Sequence, residues 1–215
     1  MAWLDPRGTA ASPLDDHMHA AARHLEKSDN VVSALVRRFG VYQMRSTRSP
    51  FQVMLETVVS QQLSTHAARA IYTRLSHAMG PGTPRPRSLL RLSHDELIAC
   101  GLSRSKAEYV RNVAAEFAAR RMNGRSFAPL DDAAAIETLT SIKGVGEWSA
   151  HMFLIFALHR LDVFPIGDLG LRKAMAAQYG LRKNAPESRY HRIAEAWRPY
   201  RTVGTLYLWK SYDDI

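Results

Sequence analysis

The stretch Leu139–Met175, LTSIKGVGEWSAHMFLIFALHRLDVFPIGDLGLRKAM, decides how the rest of the chain reads. Ile142-Lys143-Gly144-Val145-Gly146 lies between two segments of helical period. Leu139 and Ile142 precede it, and Trp148, Met152 and Ile155 follow on one face. Glycines two apart allow a tight turn with exposed backbone amides directly before a helix N-terminus. Those amides and the helix dipole make an anion site that suits a phosphate oxygen, and Lys143 adds a charge nearby. Glycine also lets a polyanion's backbone approach without a Cβ in the way. A helix predicted from Glu147 to about Arg160, roughly 21 Å long, leads through a Pro-Gly loop to Asp168, which opens the next helix. Taken alone, the Gly-x-Gly also fits a plain turn between helices, and Asp168 an N-cap worth about 1 kcal/mol. Their order joins a phosphate grip to a carboxylate placed for chemistry.

The bulk composition agrees with such a partner. In 215 residues, 46% hydrophobic, there is enough apolar material for a real core. Lys+Arg 29 against Asp+Glu 20 leaves +9, a surplus that favours a polyanion but also fits an ordinary basic protein. The single cysteine, Cys100, excludes an internal disulfide, a CxxC pair and a four-cysteine iron–sulfur cluster. The longest apolar run, Met152–Leu158, is far short of the ~20 residues that span a bilayer. The first residues lack the basic-then-apolar order of a signal peptide, so an intracellular protein with no membrane partner is expected.

Residues 1–14 show little periodicity and are expected to be loose. Almost every later segment has helical period. Asp15/Asp16, Asp29 or Asn30, and Ser49-Pro50 start the first three helices. Others run from Thr65 to Met79, from the capping box Ser93–Glu96, from Ser103 or Ser105 to about Met122, and from Asp131 or Asp132 into the hairpin. Helices from Asp168, Pro186 and about Pro199 complete the chain. No segment alternates as a strand should, so the fold class is all-α with about ten or eleven helices.

The order of hairpin, helix, Pro-x-x-Asp and helix resembles the helix–hairpin–helix DNA glycosylase superfamily. Within it, Asp162-Val163-Phe164-Pro165-Ile166-Gly167-Asp168-Leu169-Gly170 resembles the 3-methyladenine DNA glycosylase II (alkylation-repair) branch. The likeness extends over about Pro50–Trp209. Ser60-Gln61-Gln62-Leu63-Ser64-Thr65-His66-Ala67-Ala68, Cys100-Gly101-Leu102-Ser103 and Trp197-Arg198-Pro199-Tyr200-Arg201 all look like that branch. One departure is visible: many members carry Asp-Asp where this chain has Gly167-Asp168. The second acid is the one the family uses, so Asp168 keeps the role in altered local electrostatics.

The resemblance implies two helical lobes with a cleft between them, inside a glycosylase domain over 15–215. One lobe comes from about 15–48 and 161–215, the other from about 49–160 with the hairpin at 142–146. The implied activity is excision of alkylated, mainly cationic N3- or N7-methylated purines from double-stranded DNA by a monomer, leaving an abasic site. Breaking the C1′–N bond builds oxocarbenium character, which a carboxylate at Asp168 stabilises. Bifunctional members carry a lysine where this chain has Trp148, and Trp cannot form a Schiff base, so monofunctional chemistry follows.

The remaining site residues are carried over from the same likeness. Trp148, Met152 and Trp209 are the base-pocket positions, with core tryptophans as the alternative. Gln62 and Leu63 are the intercalating wedge, with a polar helix end as the alternative. Lys143, Gly144, Val145 and Gly146 hold DNA phosphate. Backbone carbonyls of Thr140, Ile142 and Val145 correspond to a monovalent cation site for Na+ or K+; no other cofactor and no iron–sulfur cluster is expected. His66, Arg172 and Lys173 are further DNA-facing candidates, or simply solvated. Two other functions compete: a non-catalytic helix–hairpin–helix DNA-binding protein, and a glycosylase/lyase for oxidised bases. A cytoplasmic, nucleoid-associated location follows in a prokaryote and a nuclear one in a eukaryote.

Overall fold

Polar side chains start the helices largely where the sequence places them. Asp29 accepts from the Val31 and Val32 amides, and Ser49 and Ser93 close capping boxes with Gln52 and Glu96. The structure, a computed structural model, describes residues 13–44, 48–119, 122, 124–182 and 184–213. Among them are helices and turns but no strand. None of the helices is long and apolar enough to cross a membrane. The helices are α1 (Pro13–Ser28), α2 (Asn30–Phe39), α3 (Pro50–Ser60), α4 (Thr65–Ala78), α5 (Pro86–Leu90), α6 (His94–Ala99) and α7 (Arg104–Ala118). They continue as α8 (Gly124–Phe127), α9 (Asp132–Thr140), α10 (Glu147–Phe156), α11 (Leu169–Tyr179), α12 (Glu187–Glu195) and α13 (Arg201–Asp213).

Five boundaries differ from the sequence expectation. Of residues 1–14, read as loose, 1–12 lie outside the described residues, while Pro13 and Leu14 open α1. α5 forms where Pro84-Arg85-Pro86 suggested a stiff loop: Pro86 is pre-set for the first helical position, and the Arg85 carbonyl accepts from Ser88 and Leu89. Gly124, read as a helix stop, begins α8, and α7 ends at Ala118 rather than near Met122. α10 stops at Phe156 instead of about Arg160. There the Ala157 and Leu158 amides both turn back to the Phe153 carbonyl, and His159 takes a φ of 53°.

The chain divides into two compact units, residues 1–46 with 159–215, and residues 47–158. In the second, α3 is buried nearly all round (Phe51, Val53, Met54, Leu55, Val58 and Val59) and packs on α4, α7 and α10. Phe51, Phe117, Phe153 and Phe127 link edge to face through its core at ring separations of 5.3–6.2 Å. Each such burial contributes about 1.5–3 kcal/mol. In the first unit α13 is the central helix, buried from Thr202 to Trp209, and packs on α1, α2, α11 and α12. Asp29 ties this unit together. Besides capping α2, its Oδ2 accepts from Tyr179 Oη at 2.9 Å and Trp197 Nε1 at 3.1 Å. Burial, with the Asp29 carboxylate beside it, pushes the Tyr179 phenol far up.

Candidate active site and hairpin

In the unit of residues 47–158, α9 and α10 are joined by a hairpin whose inner face is apolar. Leu139, Ile142 and Val145 are buried, and the Val145 amide donates to the Ile142 carbonyl at 2.9 Å. Gly144 adopts φ +101°, and a Cβ built there would lie 2.2 Å from Tyr109 Cγ. Gly146 differs: it caps α10 in extended backbone, is exposed, and a Cβ there would meet nothing within 4 Å. The protein itself therefore gives no steric reason for glycine at 146, which leaves that surface open to an incoming ligand.

Lys143 is exposed but engaged. Its Nζ lies 2.7 Å from Glu108 Oε1, and that hydrogen bond holds its pKa above the usual lysine range. Its carbonyl accepts from Asn112 Nδ2 at 3.2 Å. Glu108, Tyr109 and Asn112 all lie on α7, so the hairpin leans on that helix. A phosphate at Lys143 would have to compete with Glu108. Trp148 is half-buried in the first turn of α10, and Met152, one turn on, is buried.

The proposed wedge follows α3. Gln62 is exposed with φ 57°, and Leu63 is 39% exposed, one of few large apolar side chains exposed among the described residues. Gln61, which the sequence did not single out beyond its motif, ties this turn to the hairpin. Its Nε2 donates to the Gly144 carbonyl at 3.0 Å and to the buried Ser149 Oγ at 2.9 Å. His66 is exposed at the start of α4.

Asp168 stands in the other unit, where a turn closed by its amide on the Pro165 carbonyl (2.8 Å) leads into α11. The N-cap reading is correct for this residue: Oδ1 accepts the Leu171 amide at 2.7 Å. The same oxygen accepts Trp209 Nε1 at 2.9 Å. Asp168 is only 6% exposed, so two N–H donors hold one oxygen of a buried carboxyl group and fix its plane. Trp209 is itself 1% exposed. Its ring is enclosed, and its indole N–H is spent on Asp168.

The approach to Asp168 is anchored at its start. Arg201 Nε lies 2.8 Å from Asp162 Oδ1, and Arg198 Nη1 2.7 Å from Asp162 Oδ2. Thr202 Oγ1 accepts from the Val163 amide at 2.9 Å and donates to the Arg160 carbonyl at 2.7 Å. Gly167, in place of the first acid, is exposed and has open space where a Cβ would stand. Arg172 lies over the Tyr190 ring at 5.2 Å, and Lys173 is exposed.

Gly170 was missed from sequence, although it stands two residues past the acid. A Cβ there would lie 3.1 Å from Asp168 Oδ1 and 3.9 Å from Trp209. Gly170→Ala should therefore displace the carboxyl group by a few tenths of an ångström and lengthen its two hydrogen bonds, a cost offset by a gain in helix propensity of up to about 1 kcal/mol. We expect base release to fall about tenfold, in line with the sensitivity of reacting groups to small misplacements, with no loss in thermal midpoint. Single-turnover kinetics beside a melting curve check this, and an unaffected rate would show that the carboxyl position is not critical.

Residues 55–199 match the family model described as HhH-GPD superfamily base excision DNA repair protein, and the chain belongs to that superfamily. It is 31% identical over 193 residues to DNA-3-methyladenine glycosylase 1 of Schizosaccharomyces pombe, a match covering 87% of this chain and 85% of the relative. The Schizosaccharomyces pombe 3-methyladenine DNA glycosylase Mag1, solved in complex with abasic DNA, is similar at a TM-score of 0.81 and 29% identity, covering 90% of this chain and 97% of that one. A DNA-3-methyladenine glycosidase from Bacillus halodurans gives a TM-score of 0.76 at 34% identity, over 89% and 88% of the two chains. The all-helical fold is thus that of the helix–hairpin–helix glycosylases, and these relatives carry the names of its alkylation-repair branch.

Proposed function

We propose that the protein is a monofunctional DNA N-glycosylase. It extrudes alkylated purines, mainly those made cationic by methylation at N3 or N7, from duplex DNA and cleaves their N-glycosidic bond. The observation that carries this reading is the buried Asp168 carboxyl group, held on Oδ1 by Leu171 and Trp209. As the C1′–N bond lengthens, its electron pair leaves with the base and positive charge grows on the sugar. The Asp168 carboxylate stabilises that charge and orients the water that adds to C1′, which loses a proton to give the abasic site. A base that starts as a cation leaves neutral, so no partner acid is required.

Trp148 supports the monofunctional assignment, because it stands where the resembled lyases have an amine and an indole forms no Schiff base. Its face also suits a cationic purine, worth roughly 0.5–2 kcal/mol, with Met152 as a pliable neighbour. Trp209 acts through Asp168. The backbone at 144–146 takes a phosphate, and Lys143 joins by exchanging Glu108 for it. The hairpin carbonyls of Thr140, Ile142 and Val145 supply oxygen donors only, and that of Ile142 has one lone pair left beyond the Val145 amide. This chemistry fits Na+ or K+, which would add positive charge on the phosphate side. The reaction needs no cofactor, and the protein acts as a monomer where the DNA is, in the nucleoid or the nucleus.

A set of duplexes, each with one defined lesion, tests the assignment through alkali-labile strand breaks. Release of N3-methyladenine and N7-methylguanine with no break before alkali is expected. No release from any alkylated duplex would overturn the enzymatic reading. Borohydride should trap no protein–DNA adduct; a trapped adduct would favour the lyase for oxidised bases.

A further inference from the structure

The turn after α3 rests on a more elaborate base than an exposed loop needs. The last carbonyls of a helix lack intrahelical partners. Lys106, from α7, reaches this end of α3, where its Nζ lies 2.7 Å from the Val59 carbonyl and 2.6 Å from that of Gln61. The negative end of the α3 dipole also favours an ammonium there. Partial burial pulls the Lys106 pKa below the usual lysine range.

The Gln61 side chain extends the other way, to the Gly144 carbonyl and Ser149. Beyond it, Leu63 donates its amide to the Ser60 carbonyl at 3.1 Å. Between these anchors Gln62 takes its φ of 57°. A residue with a side chain keeps that left-handed backbone only where its surroundings over-determine it. The result is a stiff turn whose outer side chains, Gln62 and Leu63, are exposed.

We propose that Lys106 is a positioning residue for base extrusion: with Gln61, it locks the Gln62–Leu63 turn to the hairpin so that wedge and phosphate grip engage the duplex as one rigid piece. This rests on the reading of Gln62 and Leu63 as the intercalating pair. Filling a vacated place in the base stack works against the cost of unstacking, and only a stiff support transmits that push. Lys106 acts through two carbonyls and touches neither base nor sugar. Its loss therefore shows where extrusion is hard and fades where it is easy.

The test is single-turnover release of one alkylated purine from two duplexes, one fully paired and one with the lesion opposite an abasic site. Lys106→Met should slow release about tenfold on the paired duplex and less than about twofold on the other, and Gln61→Met should do the same. Equal slowing on both duplexes, or none on either, overturns the proposal. Gln61→Met leaves Lys106 in place and carries the test alone should Lys106→Met not fold. Leu63→Ala reports on the wedge separately. An unchanged rate on the paired duplex removes the wedge reading and the proposal with it. A selective loss in Leu63→Ala with both clamp variants at the wild-type rate overturns the clamp alone.

Discussion

Asp168→Asn is expected to lower base release by about 10³-fold while leaving the fold and DNA binding in place. The two consequences separate because one side chain has two functions in the structure. Its Oδ1 is an acceptor for the Leu171 amide and the Trp209 indole, and an amide oxygen in the same place accepts both, though less strongly than a carboxylate. Asparagine is also as good an N-cap as aspartate. What it lacks is negative charge, the property that stabilises an oxocarbenium-like sugar. Removing that charge from a protein that binds a polyanion should hold or tighten affinity. Single-turnover rate, affinity for a lesion duplex and thermal midpoint, measured together, check all three parts.

Asp168→Ala would be the poorer experiment. It loses the cap, about 1 kcal/mol, and leaves the indole N–H of a buried tryptophan without its acceptor at a further cost of about 1–3 kcal/mol. Loss of activity there would mix chemistry with unfolding. Full excision by the Asn variant would take Asp168 out of the reaction altogether.

What could be read from sequence was local. The hairpin glycines, the caps at Asp29, Ser49 and Ser93, and the acid opening α11 each declare themselves within a few residues. What could not be read joins distant parts of the chain. Trp209 reaches Asp168 across 41 residues, and Gln61 reaches Gly144 across 83. The likeness placed Trp209 among the base-pocket positions, with a core tryptophan as the alternative, and periodicity cannot say that its indole N–H ends beside a carboxylate. Gly170 had a local signal, a glycine inside the first turn of a helix where alanine is the better former, and the crowding at Asp168 Oδ1 explains it. The early end of α10 had only a weak one, since histidine is enriched in left-handed backbone but adopts it in a small minority of cases.

The two hairpin glycines should respond differently to one methyl group. Gly144→Ala places a side chain on a backbone with φ +101° and a Cβ 2.2 Å from Tyr109 Cγ and 2.4 Å from Tyr109 Cβ. Those atoms sit close to the α7 backbone and cannot swing away as the tip of a side chain would. The conformational penalty and the overpacking together should cost about 2–4 kcal/mol, and DNA affinity should fall as the hairpin shifts. Gly146→Ala has an unremarkable φ of −94° and open space around its Cβ. Its stability should change by no more than the modest N-cap preference of glycine over alanine, under about 1 kcal/mol. Its DNA affinity should nevertheless fall about tenfold, because the added methyl stands where a phosphate must approach the amides. Melting curves and duplex binding of both variants separate a scaffold glycine from a contact glycine. Wild-type affinity in Gly146→Ala would mean that the DNA backbone does not rest on this face of the hairpin.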